Sequence, residues 1–143
     1  MSQSAPVPAH FHPGGWTPAA GPTRSGMREQ TVSERRRMYH RACALIEHGY
    51  HRPLTLPAVA AILAISPRQL QRVFEQFGSR SFREELLWRR MTAAGELLAR
   101  PTPPLAEVPR LVGYSRGPSF TRTFRRCNGV SPSAYRRARV ARC

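Results

Sequence analysis

The stretch VAAILAIS at residues 59–66 returns as VPRLVGYS at 108–115, an offset of 49, and LQRVF at 70–74 returns as FTRTF at 120–124, an offset of 50. Val59 answers Val108, Leu63 answers Val112, Ser66 answers Ser115, Arg72 answers Arg122 and Phe74 answers Phe124. A repeated supersecondary unit constrains a fold far more than any single motif, because each copy must bury the same apolar set. Each copy therefore has to be the same small structure, and what joins them has to hold two cores.

The first copy spells out that structure. Thr55 caps a short helix whose Val59, Ala60 and Leu63 face inward, Ala64 and Ile65 make a turn, and Ser66 caps a second helix with Pro67 at its first position, where a missing N–H costs nothing. Leu70, Val73, Phe74 and Phe77 form its apolar stripe, and Gly78 closes it in the left-handed conformation. Two short helices around a tight turn make a helix-turn-helix. Between the copies, SFREELLWRRMTAAGELLAR opens on the capping box Ser81 and Glu84 and carries Leu87, Met91, Ala94 and Leu98 on one stripe, with Pro101 ending it. Ahead of the first copy, Met38, Ala42, Leu45 and Ile46 predict a helix capped by Ser33 and ended by Gly49. Residues 1–32, rich in proline and glycine, have the composition of a disordered tail, with His10, His12 and Trp16 within it. The expected organisation is that tail, a first helix-turn-helix subdomain over 33–79, a linker helix over 80–100, a second subdomain over 101–139 and a short tail at 140–143.

Composition narrows the function. The formal net charge is +15, all 23 basic residues are arginine and all 8 acids are glutamate. An excess of this size points first to nucleic acid and second to an anionic membrane, and arginine's rigid fork suits phosphate and the guanine edge. No run of about 18 apolar residues spans a membrane, and no basic-then-apolar leader opens the chain. Cys43, Cys127 and Cys143 are too scattered for a disulfide framework or a zinc site, which fits reduced thiols in the cytoplasm. His40, Cys43 and Glu47 share a helix face, but a half-buried structural face explains them better than a metal site lacking a fourth ligand. No glycine-rich phosphate loop, nucleophile elbow or metal constellation marks an enzyme, and no cofactor is expected.

Two blocks then carry a family resemblance. LTLPAVAAILAISPRQLQRVFEQFG and LAEVPRLVGYSRGPSFTRTFRRCNGVSPSAYRR, the second closing on GVSPSAYRR, are similar to the DNA-binding domain of the AraC/XylS family of bacterial transcription regulators over about residues 36–139. The resemblance implies an all-α fold of about seven helices, two helix-turn-helix subdomains on a long linker helix. It also implies sequence-specific promoter binding, with activation through contacts with RNA polymerase. Three positions depart from the family pattern. Ala64 stands where glycine is usual in the first turn. Pro109 stands where a small helical residue is usual, so the helix around 105–112 is expected to start near Glu107 or to bend. Gly117 and Pro118 open the second recognition helix without polar side chains. Most members also carry a sensor or dimerisation domain, for which the roughly 35 preceding residues are too few.

Candidate DNA-contacting residues follow from helical spacing. Arg68, Gln71 and Arg72 lie opposite the apolar stripe, with Gln69 beside them; arginine suits guanine O6 and N7, and glutamine suits adenine N6 and N7. A solvated surface is the competing reading of this face. Ser119 and Arg122 are the base-reading candidates of the second unit. Ser66, Ser115, Thr123, Arg125, Arg126, Arg136 and Arg137 are the phosphate candidates, with Arg83, Arg89, Arg90 and Arg139 behind them, while Phe120 and Phe124 belong to the core. Double-stranded DNA, bound by a monomer, is the expected partner. A non-specific architectural protein and a polymerase-binding antagonist that reads no DNA are the alternatives.

Overall fold

The computed structural model describes residues 24–142, with side chains from residue 31 onward. The region holding His10, His12 and Trp16 lies outside the described residues. Seven α-helices and no strand occur among those described: α1 (Arg24–Gly49), α2 (Leu56–Ile62), α3 (Pro67–Phe77), α4 (Phe82–Leu98), α5 (Val108–Leu111), α6 (Gly117–Asn128) and α7 (Pro132–Val140).

The first subdomain packs Ala42 and Ile46 of α1, Val59, Ala60 and Leu63 at α2, Leu70 and Phe74 of α3 and Phe82 and Leu86 of α4 into one core. The second packs Met91, Ala94 and Leu98 of α4, Val108 and Val112 at α5 and Phe120 and Phe124 of α6 into another, with Tyr135 of α7 against it. Each fully buried Leu or Phe here is worth about 1.5–3 kcal/mol. The linker helix is therefore a wall of both cores rather than a free rod, its N-terminal half serving one and its C-terminal half the other. At about 1.5 Å per residue its 17 residues span roughly 25 Å.

Local chemistry sets most boundaries. Thr55 accepts from the Ala58 N–H to cap α2, and Ser66 and Ser81 open α3 and α4 with reciprocal capping boxes to Gln69 and Glu84. Both first helices of the repeats end in the same Schellman motif. Ala64 and Ile65 donate to the Ala61 and Ala60 carbonyls, and Gly113 and Tyr114 donate to those of Arg110 and Pro109. Ala64 occupies its left-handed position at φ 56 and Gly113 at φ 93. Only the alanine is strained there. Pro109 is accommodated as expected: residues 105–107 form a 3₁₀ turn and α5 begins at Val108, which puts the proline in the first turn.

Two local expectations are corrected. The first helix starts at Arg24, so Ser33 lies within it and 24–32 is helical rather than tail. Gly78 is extended, at φ −94, not left-handed. It is glycine for space, because a Cβ would come 2.8 Å from both the Phe74 and Arg80 carbonyl oxygens. The cap of α6 is Arg116, with no side-chain hydrogen bond, and Ser115, the repeat partner of Ser66, sits one residue outside the position that Ser66 holds. The inserted residue of the repeat falls before the cap, and from there the two second helices align at an offset of 50.

Candidate nucleic-acid interface

That register sorts the reading edges. Arg72 pairs with Arg122, Gln71 with Thr121, Gln69 with Ser119 and Arg68 with Pro118. Arg68, Gln71, Arg72, Ser119, Thr121 and Arg122 are all exposed. The side chains of Arg68, Arg72, Arg122, Arg125, Arg126 and Arg137 make no hydrogen bond or ion pair among the described residues. A row of unspent guanidinium groups on a surface is costly in self-repulsion and is relieved by an anionic partner.

Three adjoining depressions connect the two edges. The first is walled by Gln71, Arg80 and Arg83 over Leu56 and Phe82. The second shares Leu56, Phe82 and Arg83 and continues to Arg126 of α6. The third shares Arg126 and reaches Arg125 and Arg122. A groove edged by Arg80, Arg83, Arg126, Arg125 and Arg122, with Glu75 also in its lining, thus runs from α3 across the start of α4 to α6. On the other flank of α3, Arg72 borders a crevice against Thr31, Glu34 and Arg35 of α1.

Four of the sequence candidates are engaged elsewhere. Gln69 accepts the Ser66 N–H at 2.9 Å through its side-chain carbonyl, which leaves only its amide N–H₂ and removes the bidentate pairing that adenine needs. Ser66 accepts the Gln69 N–H at 3.1 Å, so only its hydroxyl proton is free for a phosphate. Thr123 is half-buried in the register of Val73, and its hydroxyl donates to the Ser119 carbonyl at 2.9 Å. Arg136 donates to the Leu97 carbonyl at 3.3 Å and fastens α7 to α4. Among the lesser candidates, Arg89 pairs with Glu47 at 3.1 Å and Arg90 is tied to two carbonyls, whereas Arg83 faces the groove. Arg139 lies over the Tyr135 ring.

Sequence reasoning missed Thr121, which the offset of 50 alone would have matched to Gln71. It also passed over Glu75, exposed near Arg68 and Arg72 where a carboxylate can accept from cytosine N4. Burial raises the Cys43 thiol above its ordinary range and the Tyr39 hydroxyl likewise, so neither is an activated group. Among the described residues no cluster of ligand side chains could hold a metal ion, and no helix is long and apolar enough to cross a membrane.

A family model described as a helix-turn-helix domain matches residues 59–138. The chain belongs to the AraC family of transcription regulators. It is 34% identical over 98 residues to YpdC, an uncharacterised regulator of Escherichia coli, covering 68% of this chain and 34% of that one. It is 33% identical over 99 residues to the arabinose operon regulatory protein of the same organism, covering 66% and 33%. This AraC-family chain thus spans about a third of the length of the curated relatives it matches. The C-terminal domain of AraT, a response regulator of Geobacillus stearothermophilus, superposes with a TM-score of 0.69 at 37% identity, covering 71% of this chain and 85% of that one. The DNA-binding domain of AdpA, solved with a target DNA, superposes with a TM-score of 0.63 at 28% identity, covering 73% and 94%. The family consists of regulators and not enzymes.

Proposed function

We propose that this chain is a sequence-specific DNA-binding regulator that lays α3 and α6 into adjacent major grooves of one promoter duplex, as a monomer on an asymmetric site. The observation that supports the reading is the run of arginine-edged depressions between α3 and α6, two helices that carry exposed Arg72 and Arg122 at the same register. A major groove about 12 Å wide admits such a helix, and grooves recur about every 34 Å along one side of B-DNA. Arg68, Gln71 and Arg72 read bases at one end. At the other, Arg122 and Thr121 read while Arg125, Arg126 and Arg137 hold phosphates. The second helix, with Pro118 in the register of Arg68, contributes fewer base contacts and more clamping.

Selection of bound fragments from random duplexes tests this. An asymmetric bipartite consensus is expected, with more information in the α3 half, and absence of any consensus would favour a non-specific architectural role instead. Activation through RNA polymerase is the regulatory outcome that family membership supports. Transcription in vitro from a selected site, with purified polymerase, should rise on adding the chain; a fall would make it a repressor.

A further inference from the structure

Two cores threaded on one helix can rock about it unless something sets the angle between them. The middle of α4 carries a device for this. Arg90 donates through Nε to the Tyr50 carbonyl at 2.9 Å and through Nη2 to the Arg52 carbonyl at 3.0 Å, both in the segment leaving α1. Its guanidinium lies 5.6 Å from the ring centre of Tyr114, which belongs to the turn of the second unit. Beside it, a Cβ on Gly113 would fall 2.6 Å from the Tyr50 oxygen and 2.9 Å from the Arg90 Nε, so the second unit's turn is pressed against the first unit's exit segment. The Tyr50 side chain packs on both cores. Burial lowers the Arg90 pKa from its ordinary value, the mark of a charge taken partly out of water and satisfied by carbonyls rather than by a carboxylate.

We propose that Arg90, forked onto the Tyr50 and Arg52 carbonyls and roofed by Tyr114, is the positioning residue that fixes the angle between the two helix-turn-helix units and so sets the half-site spacing the chain accepts. A planar fork can bridge two carbonyls at once, which a lysine ammonium cannot do with the same geometry. The seat lines the groove between the units together with Arg83 and Arg126, so a change of angle there carries α6 relative to α3. The spacing half of this inference rests on the proposed DNA reading; the angular half does not.

Two arms test it in the full chain. In a Cys43→Ser, Cys143→Ser background, nitroxide labels on exposed Cys127 of α6 and on Ile62→Cys of α2, 59% exposed, report the inter-unit distance by dipolar electron paramagnetic resonance. The parent should give one narrow distribution, Arg90→Met a broad or split one, and Arg90→Lys an intermediate one, with helical content unchanged by circular dichroism. An unchanged distribution in either folded variant overturns the proposal, and the lysine variant carries both arms if the methionine variant does not fold. In the second arm, inserting two base pairs between selected half-sites should cost the parent about tenfold or more in affinity, since the second contact is intramolecular only at a matched span. In Arg90→Met that penalty should shrink while binding to a single half-site stays the same; an undiminished penalty also overturns it. A parent indifferent to spacing would instead undo the two-groove reading and leave the label arm to judge Arg90.

Discussion

Arg72 and Arg137 are both exposed and unpaired, yet they should fail differently when removed. Arg72 projects from the middle of α3, where a bidentate contact to guanine is worth about 1–3 kcal/mol of discrimination. Arg72→Ala should therefore lose affinity for the selected site and little for scrambled DNA; equal losses on both would remove it as a reader. Arg137, at the end of α7, should act on phosphate alone. Arg137→Ala should weaken all sequences alike and flatten the salt dependence by about one unit of slope, measured by titration at several salt concentrations. Ala64 is the residue the fold tolerates at a cost. Ala64→Gly, relieving φ 56, should raise stability by about 1 kcal/mol in urea denaturation, and no gain would mean the turn is relaxed as it stands.

Helix ends are where element-scale stability is set. The Glu84 carboxylate accepts the Ser81 N–H at 2.8 Å, and its pKa is lowered by hydrogen bonding to the Ser81 backbone first and side chain second. A depressed folded-state pKa means the stabilisation is present above the ordinary carboxylate range and is lost as pH falls through the lowered value. The stability difference between parent and Glu84→Ala should thus be full near neutrality and shrink in acid, as followed by urea unfolding at a series of pH values. Ser66→Ala removes one side of the other capping box and should cost about 1 kcal/mol. Elements also show how far local reading reached. The caps of α2, α3 and α4 and the late start of α5 at Pro109 depend on residues within a few positions, and were legible. The start of α1 at Arg24 was not: RSGMREQTV has no apolar stripe and no strong cap, so pattern gives no reason to begin there. The cap of α6 falls on Arg116, which offers no hydroxyl, while Ser115 lies one residue early.

At the scale of the whole molecule, the proposed reading has one chain present two helices to one duplex. If the inter-unit angle sets them closer than a helical repeat, the duplex must bend, at about 1–6 kcal/mol, and flexible steps become part of the recognised site. Circular-permutation gel shifts on the selected site should show that bend, and an unbent complex would place the two edges at the natural groove spacing. By itself, the sequence determined the repeated unit, the all-α class, the family and which helix faces are polar, because apolar periodicity and capping are properties of neighbours along the chain. Only the tertiary structure decided which arginines are free. Arg89, Arg90 and Arg136 look no different in the sequence from Arg83, Arg126 and Arg137, but they meet Glu47, the Tyr50 and Arg52 carbonyls and the Leu97 carbonyl, partners some forty positions away. A guanidinium commits to whatever acceptor the packed cores bring within about 3 Å, and no local pattern records that distance.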